Sequence, residues 1–157
     1  MLKQNRRPLN NVLLAAIVAG VFSGSCFVPA LSAPKPVDWD KELAKERHMM
    51  ETNNVEEAMA IINKYLKKHP EAAPLHTDLG KALKIRGKLS AAQAEFKRAT
   101  EVDGNYADAW YELGSMYQSN NDYQLAVDSF EKYLSIAPYG DRAASVKDRV
   151  SFCKQKI

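Results

Sequence analysis

The chain has 157 residues, of which 22 are basic, 19 acidic and two cysteine. Three of the basic residues (Lys3, Arg6, Arg7) stand in a leading segment without acids, so the remainder balances at 19 against 19. A nucleic-acid partner requires a net positive face, and nothing in that balance demands one.

The leading segment comes first. Lys3, Arg6 and Arg7 precede an apolar run from Val12 to Phe22, followed by small residues at Ser23-Gly24-Ser25 and again near Ala30 and Ser32. A basic start, a short apolar run and a small-residue end make a secretory signal, residues 1–32. Cleavage after Ser32 puts Ala30 and Ser32 at the two places that must be small. Two alternatives stay open. Cys26 after Ser23-Gly24-Ser25 resembles a bacterial lipoprotein site, with Ser23 where that pattern wants an aliphatic residue. The stretch from Val12 to Val28 also approaches the length of a short membrane span, which would leave an uncleaved anchor. Arg6-Arg7 faintly resembles a twin-arginine signal that Pro8-Leu9-Asn10 does not complete. The expectation is an exported protein, periplasmic or secreted, with any membrane attachment confined to this segment. Loss of the leader leaves Cys153 alone, so no internal disulfide can form. Residues 33–38, with Pro34-Lys35-Pro36, read as a short extended linker.

From residue 39 onward the chain repeats. Ala58, Ala92 and Ala126 lie 34 residues apart; four places on come Ile62, Phe96 and Phe130, and twelve on Pro70, Gly104 and Pro138, which stop helices. The period defines units at 39–72, 73–106 and 107–140, then a closing helix within 141–157. Units of this length must stack on one another to bury their apolar faces. Leu79, Leu83, Ala92 and Phe96 fall at helical spacing on two antiparallel helices. Gly80 and Gly114 sit in mid-helix, a cost of about 1 kcal/mol each. Close helix approach offsets it, with Ala92 and Ala126 expected opposite. Turns are predicted at Asn53-Asn54, Arg86-Gly87 and Asn120-Asn121-Asp122, and capping boxes at Asn54 with Glu57 and at Ser90 with Gln93. In the last helix, Ala143, Val146, Val150 and Cys153 form one apolar stripe.

The third unit carries Trp110, Leu113, Gly114, Tyr117, Ala126, Phe130 and Pro138, with Tyr133 where a small residue is usual. The second keeps Leu79, Gly80, Ala92, Phe96 and Ala99, with His76 in the Trp place and Gly104 in the Pro place. The first has Glu42, Lys45 and Glu46 where Trp, Leu and Gly belong, yet keeps Ala58, Ile62 and Pro70. This pattern resembles the tetratricopeptide repeat over roughly residues 39 to 138. The resemblance implies an all-α solenoid of three helical hairpins in a right-handed superhelix, closed by a capping helix from about Asp141 to Lys154. It also implies a groove lined by the first helices of successive units, holding an extended peptide or a partner helix. The groove candidates are Leu43, Arg47 and Met50 in the first unit, Thr77, Lys81 and Lys84 in the second, and Asp108, Tyr111, Ser115 and Gln118 in the third. Repeats that clamp a C-terminal carboxylate use Lys and Asn, then Lys and Arg, one turn apart. Here those pairs are Leu43 with Arg47 and Tyr111 with Ser115, so that clamp is absent.

Catalytic chemistry has little to stand on. His48, His69 and His76 have no second ligand at metal spacing, Glu56-Glu57 suit a helix start, and no phosphate loop or nucleophile elbow occurs. The expectation is a non-enzymatic protein without cofactor or metal that holds a protein or peptide partner as a scaffold or assembly factor. An enzyme accessory or small hydrolase using the groove, with His76 as its test residue, is the rival. Self-association through an apolar last helix is a third reading. Lys81, Lys84, Arg86 and Lys88 cluster, which a solvated helix end explains more simply than nucleic acid.

Overall fold

Three left-handed turns shape this chain. The computed structural model describes residues 37–157, and the readings placed on residues 1–36 lie outside the described residues. Eight helices occur there, and no strand among the described residues: α1 (Trp39–Glu42), α2 (Ala44–Glu51), α3 (Val55–Leu66), α4 (Ala73–Ile85), α5 (Leu89–Val102), α6 (Ala107–Ser119), α7 (Tyr123–Ile136) and α8 (Ala143–Lys154). Asn53, Gly87 and Asn121, each 34 residues from the next, have φ of +67°, +71° and +64°. Glycine takes that conformation without penalty and asparagine at modest cost, which is why these types end helices. The amide after each reaches back five residues: Asn54 to the Met49 carbonyl at 2.8 Å, Lys88 to Leu83 and Asp122 to Tyr117 at 2.9 Å. The same closure, made three times, turns α2 onto α3, α4 onto α5 and α6 onto α7.

The expected capping boxes do not form. Asn54 stands at its N-cap without a side-chain capping bond, and α5 begins at Leu89, which places Ser90 inside the first turn. The left-handed turn delivers the chain directly into the second helix, too early for Ser90 to cap it. The side-chain cap that does form belongs to Asp38, whose carboxylate accepts from the Lys41 amide at 3.3 Å.

The mid-helix glycines are explained by rings rather than by the alanines expected opposite them. A Cβ on Gly80 would lie 2.5 Å from Cε1 of Phe96, and one on Gly114 would lie 2.7 Å from Cδ1 of Phe130. Phe96 and Phe130 are themselves fully buried. Burying such a ring contributes about 1.5–3 kcal/mol, more than the roughly 1 kcal/mol that helical glycine costs. Ala92 and Ala126 are core residues too, fully buried on the second helices. In the first unit the corresponding pair is Glu46 and Ile62. The branched aliphatic needs no flat slot, so a side chain fits in the glycine place. That side chain is a glutamate only 4% exposed, and its Oε2 finds no hydrogen-bond partner among the described residues.

Successive units are tied at the helix-stop residues. The Trp110 indole donates to the Gly104 carbonyl at 3.0 Å, six residues back. His76, in the matching place, has Nε2 3.0 Å from the Pro70 carbonyl, also six residues back, and Nδ1 2.8 Å from Glu95. The histidine therefore does the indole's work. In the first unit Trp39 packs edge-on against His69 at 5.2 Å, while Glu42 accepts from the Tyr65 hydroxyl at 3.2 Å. That bond holds the phenol's pKa above its ordinary value. At the other end α8 packs on α7, with Ala143, Val146, Val150 and Cys153 all buried. Burial pushes the Cys153 thiol up and keeps it a packed apolar group.

Candidate functional site

The ten groove candidates divide into core and face. Leu43 is fully buried in the cluster with Ile62 and Leu75, because the chain turns at this residue between α1 and α2 and carries it inward. Met50 is nearly buried against Val55 and Ala58. Thr77 is fully buried, its hydroxyl satisfied by the Ala73 carbonyl at 2.9 Å. These three are packing residues, which corrects their assignment as partner contacts. Met50 still forms part of a notch of about 290 Å³, with Arg47, Glu51, Lys81 and Ile85 around it.

The other seven lie along the first helices, and Arg47, Lys84, Asp108 and Gln118 bond from one unit to the next or to the last segment. Arg47 donates to Asp78 at 2.7 Å and to Asp40 at 2.8 Å, and Lys81 reaches the other Asp78 oxygen at 3.2 Å. Asp78 is fully buried, so these two cations are what make its charge tolerable there. Lys84 pairs with Glu112 at 2.6 Å and lies 5.9 Å from the centre of the Phe96 ring. Asp108 accepts from Arg142 at 2.8 Å, and the Gln118 side-chain oxygen accepts from Arg149 at 2.9 Å. Tyr111 sits half-buried beneath both arginines of the last segment, 4.7 Å from Arg142 and 5.6 Å from Arg149, and against Phe130 and Tyr133. Ser115 returns its hydroxyl to the Tyr111 carbonyl at 2.9 Å. Three members of the expected solvated cluster are paired: Arg86 meets Glu56 at 2.6 Å, beside the bonds of Lys81 and Lys84, while Lys88 is exposed.

Burial works against the Arg47 charge, but its bonds to Asp40 and the charge of Asp78 outweigh it and hold the guanidinium well above its ordinary pKa. Close by, Tyr106 at the start of α6 is raised by burial and by Asp108 and Asp78. Asp78, Glu112, Arg142 and Arg149 were missed by the sequence reading, although their register holds a signal. Asp78 and Glu112 are 34 residues apart, and Arg47, Lys81 and Arg149 recur at multiples of the same interval.

A second concavity of about 430 Å³ opens between α5 and α7, floored by Trp110, Leu113 and Tyr117 and rimmed by Lys97, Leu125 and Lys132. Its floor consists of repeat-pattern residues, so it is the seam where two units meet. Among the described residues no group of three or more His, Cys, Asp or Glu is placed to hold a metal. No helix of the described residues is long and apolar enough to cross a membrane.

Known proteins resemble this arrangement. The family model described as tetratricopeptide repeat matches residues 77–141. The rice (Oryza sativa subsp. japonica) protein described as a probable UDP-N-acetylglucosamine–peptide N-acetylglucosaminyltransferase, SPINDLY, is 39% identical over 56 residues. That stretch is 36% of this chain but only 6% of the rice protein's length. Among solved structures, the TPR2B domain of yeast Sti1, in a complex with pHsp70, has a TM-score of 0.66 at 16% identity, covering 74% of this chain and 97% of that one. The first TPR of Spaghetti (RPAP3), bound to the HSP90 peptide SRMEEVD, has a TM-score of 0.64 at 18% identity, covering 78% and 97%. Hairpins closed by one repeated turn, rings seated on mid-helix glycines, and these matches give one answer: residues 77–141 match the tetratricopeptide-repeat family, and the described residues share the fold of TPR domains.

Proposed function

We propose that this chain is a non-catalytic docking module that takes a peptide or partner helix along the face of its first helices. One observation carries the reading. That face combines an aromatic foothold at Tyr111, an apolar notch beside the exposed Ile85, and charged side chains held in fixed positions by inter-unit pairs. Fixed polar groups beside apolar pockets are what an extended ligand needs, since its backbone supplies affinity and a few side chains supply selectivity. The solved relatives in complex with pHsp70 and with an HSP90 peptide support the same use of the fold. His76, the residue on which a hydrolytic rival would depend, is engaged through both ring nitrogens with Pro70 and Glu95. On this reading residues 1–32 serve as a leader, and the module acts outside the cytoplasm as a scaffold or assembly factor once cleavage after Ser32 has freed it.

A photo-crosslinker placed at Gln118 of the full chain, in the native envelope, tests the docking face. Capture of a discrete neighbour that disappears with Tyr111→Ala and with Lys81→Glu is the expected result; capture unchanged by both removes the face from consideration. Mass analysis of the mature protein should find an N-terminus at Ala33. A retained Met1 or a lipid on Cys26 would replace the cleaved form by one of its two alternatives.

A further inference from the structure

The cations Arg47, Lys81, Lys84, Arg142 and Arg149 bond along the first-helix face. Four have a carboxylate within ion-pair distance. Arg149 has none among the described residues, although it occupies the same register as Arg47 and Lys81, both of which meet Asp78. Its guanidinium is only partly exposed, lies over Tyr111 at 5.6 Å and Phe130 at 5.8 Å, and spends one donor on the neutral oxygen of Gln118. A guanidinium has five donors in a rigid fork that matches a carboxylate. Backed by two rings and held by an amide, this one is oriented before any ligand arrives, which lowers the ordering cost of binding.

The geometry points to an acidic partner: Arg149 receives an aspartate or glutamate side chain of a bound peptide at the third-unit end of the face, with Tyr111 packing beside it. This rests on the docking reading above and specifies its partner. One cation beside one neutral amide calls for one carboxylate. The paired basic positions that would hold a chain terminus are Leu43 with Arg47 and Tyr111 with Ser115, and Leu43 is fully buried. The occupant is therefore an internal acidic residue.

The test is a selection with short random peptides, displayed so that no C-terminus is free, on the full chain immobilised at its N-terminal side. Enriched peptides should share an Asp or Glu at one position. Their affinity should fall at least about tenfold with Arg149→Gln, and less with Arg149→Lys, while the helical circular dichroism stays unchanged. Gln118→Glu tests the same idea if the glutamine variant fails to fold. It places a carboxylate against Arg149 from within the chain, and the acidic preference should vanish. Enriched peptides that are neutral or basic, or an acidic preference that survives both variants, overturn the assignment and leave docking intact. Enrichment of no peptide overturns the docking reading itself, and this assignment with it. Concentration-dependent sedimentation abolished by Arg149→Gln would give the site to a second copy of the chain and overturn the peptide as occupant.

Discussion

The first and third units have the same turn and the same helical hairpin, yet they solve their central contact in opposite ways. In the third, Gly114 gives up its side chain so that Phe130 can lie flat on the helix. In the first, Glu46 keeps a side chain and Ile62 replaces the ring, leaving a buried carboxylate oxygen without a partner among the described residues. The third unit gains aromatic burial; the first gives part of its apolar gain back as desolvation. A repeat pattern thus tolerates exchange at a contact when both partners change, and the exchange sets how firmly each unit holds. The first unit is the more weakly held, and its attachment relies on the buried Asp78 that Arg47 reaches across the junction.

The largest expected effect is to cut that attachment. Asp78→Ala leaves Lys81 without its carboxylate and Arg47 with Asp40 alone, and removes a buried polar link between the first and second units, at a cost of about 3–5 kcal/mol. Hydrogen exchange should speed up in α2 and α3 well before α6 and α7; uniform acceleration would mean the units are not separable. Next comes a matched pair of substitutions at one register position. Gly114→Leu drives a side chain into the Phe130 ring and should destabilise by about 3 kcal/mol, read from denaturant melts. Glu46→Leu should instead stabilise by about 1 kcal/mol, because it removes an unpartnered buried polar atom. If both changes had the same sign, the account of the two units would fail.

The smallest effect is alkaline and belongs to Tyr106, at the N-cap of α6, and to the last helix. Tyr106 and Cys153 both have raised pKa values in the folded chain, the first through burial and the charges of Asp108 and Asp78, the second through burial. The unfolded chain therefore releases these protons first. Stability should be flat through neutral pH and fall as pH rises past about 9. Tyr106→Phe with Cys153→Ala should flatten that decline, and melts at several pH values would show it.

The hairpins and the closing stripe of Ala143, Val146, Val150 and Cys153 were legible because they recur at a fixed interval or at helical spacing. The rings opposite Gly80 and Gly114 were misassigned to alanines because a one-dimensional pattern marks which residues are small, but not which side chain lies over them. Leu43, Met50 and Thr77 were placed on the face because helical register alone does not show how far the next unit covers a residue. A hydroxyl that bonds its own helix, as Thr77 does, can be buried without penalty. The ion pairs were hidden for a related reason. Lys84, not Lys81, reaches Glu112, although Lys81 holds the register of Arg47, which reaches Asp78; the partner across a junction is therefore not fixed by the repeat. Asp78 and Glu112 share a register place, and attention to that coincidence would have found them.

The packing order of the helices has a practical result. Each hairpin leans mainly on the one before and the one after it, with α4 touching α6 and α7 touching α8. Injury at one end is therefore contained. A molecule that sheds its opening hairpin to a protease should keep the tyrosine–arginine clasp in working order, much as a chain-link fence cut at one post still holds at the next.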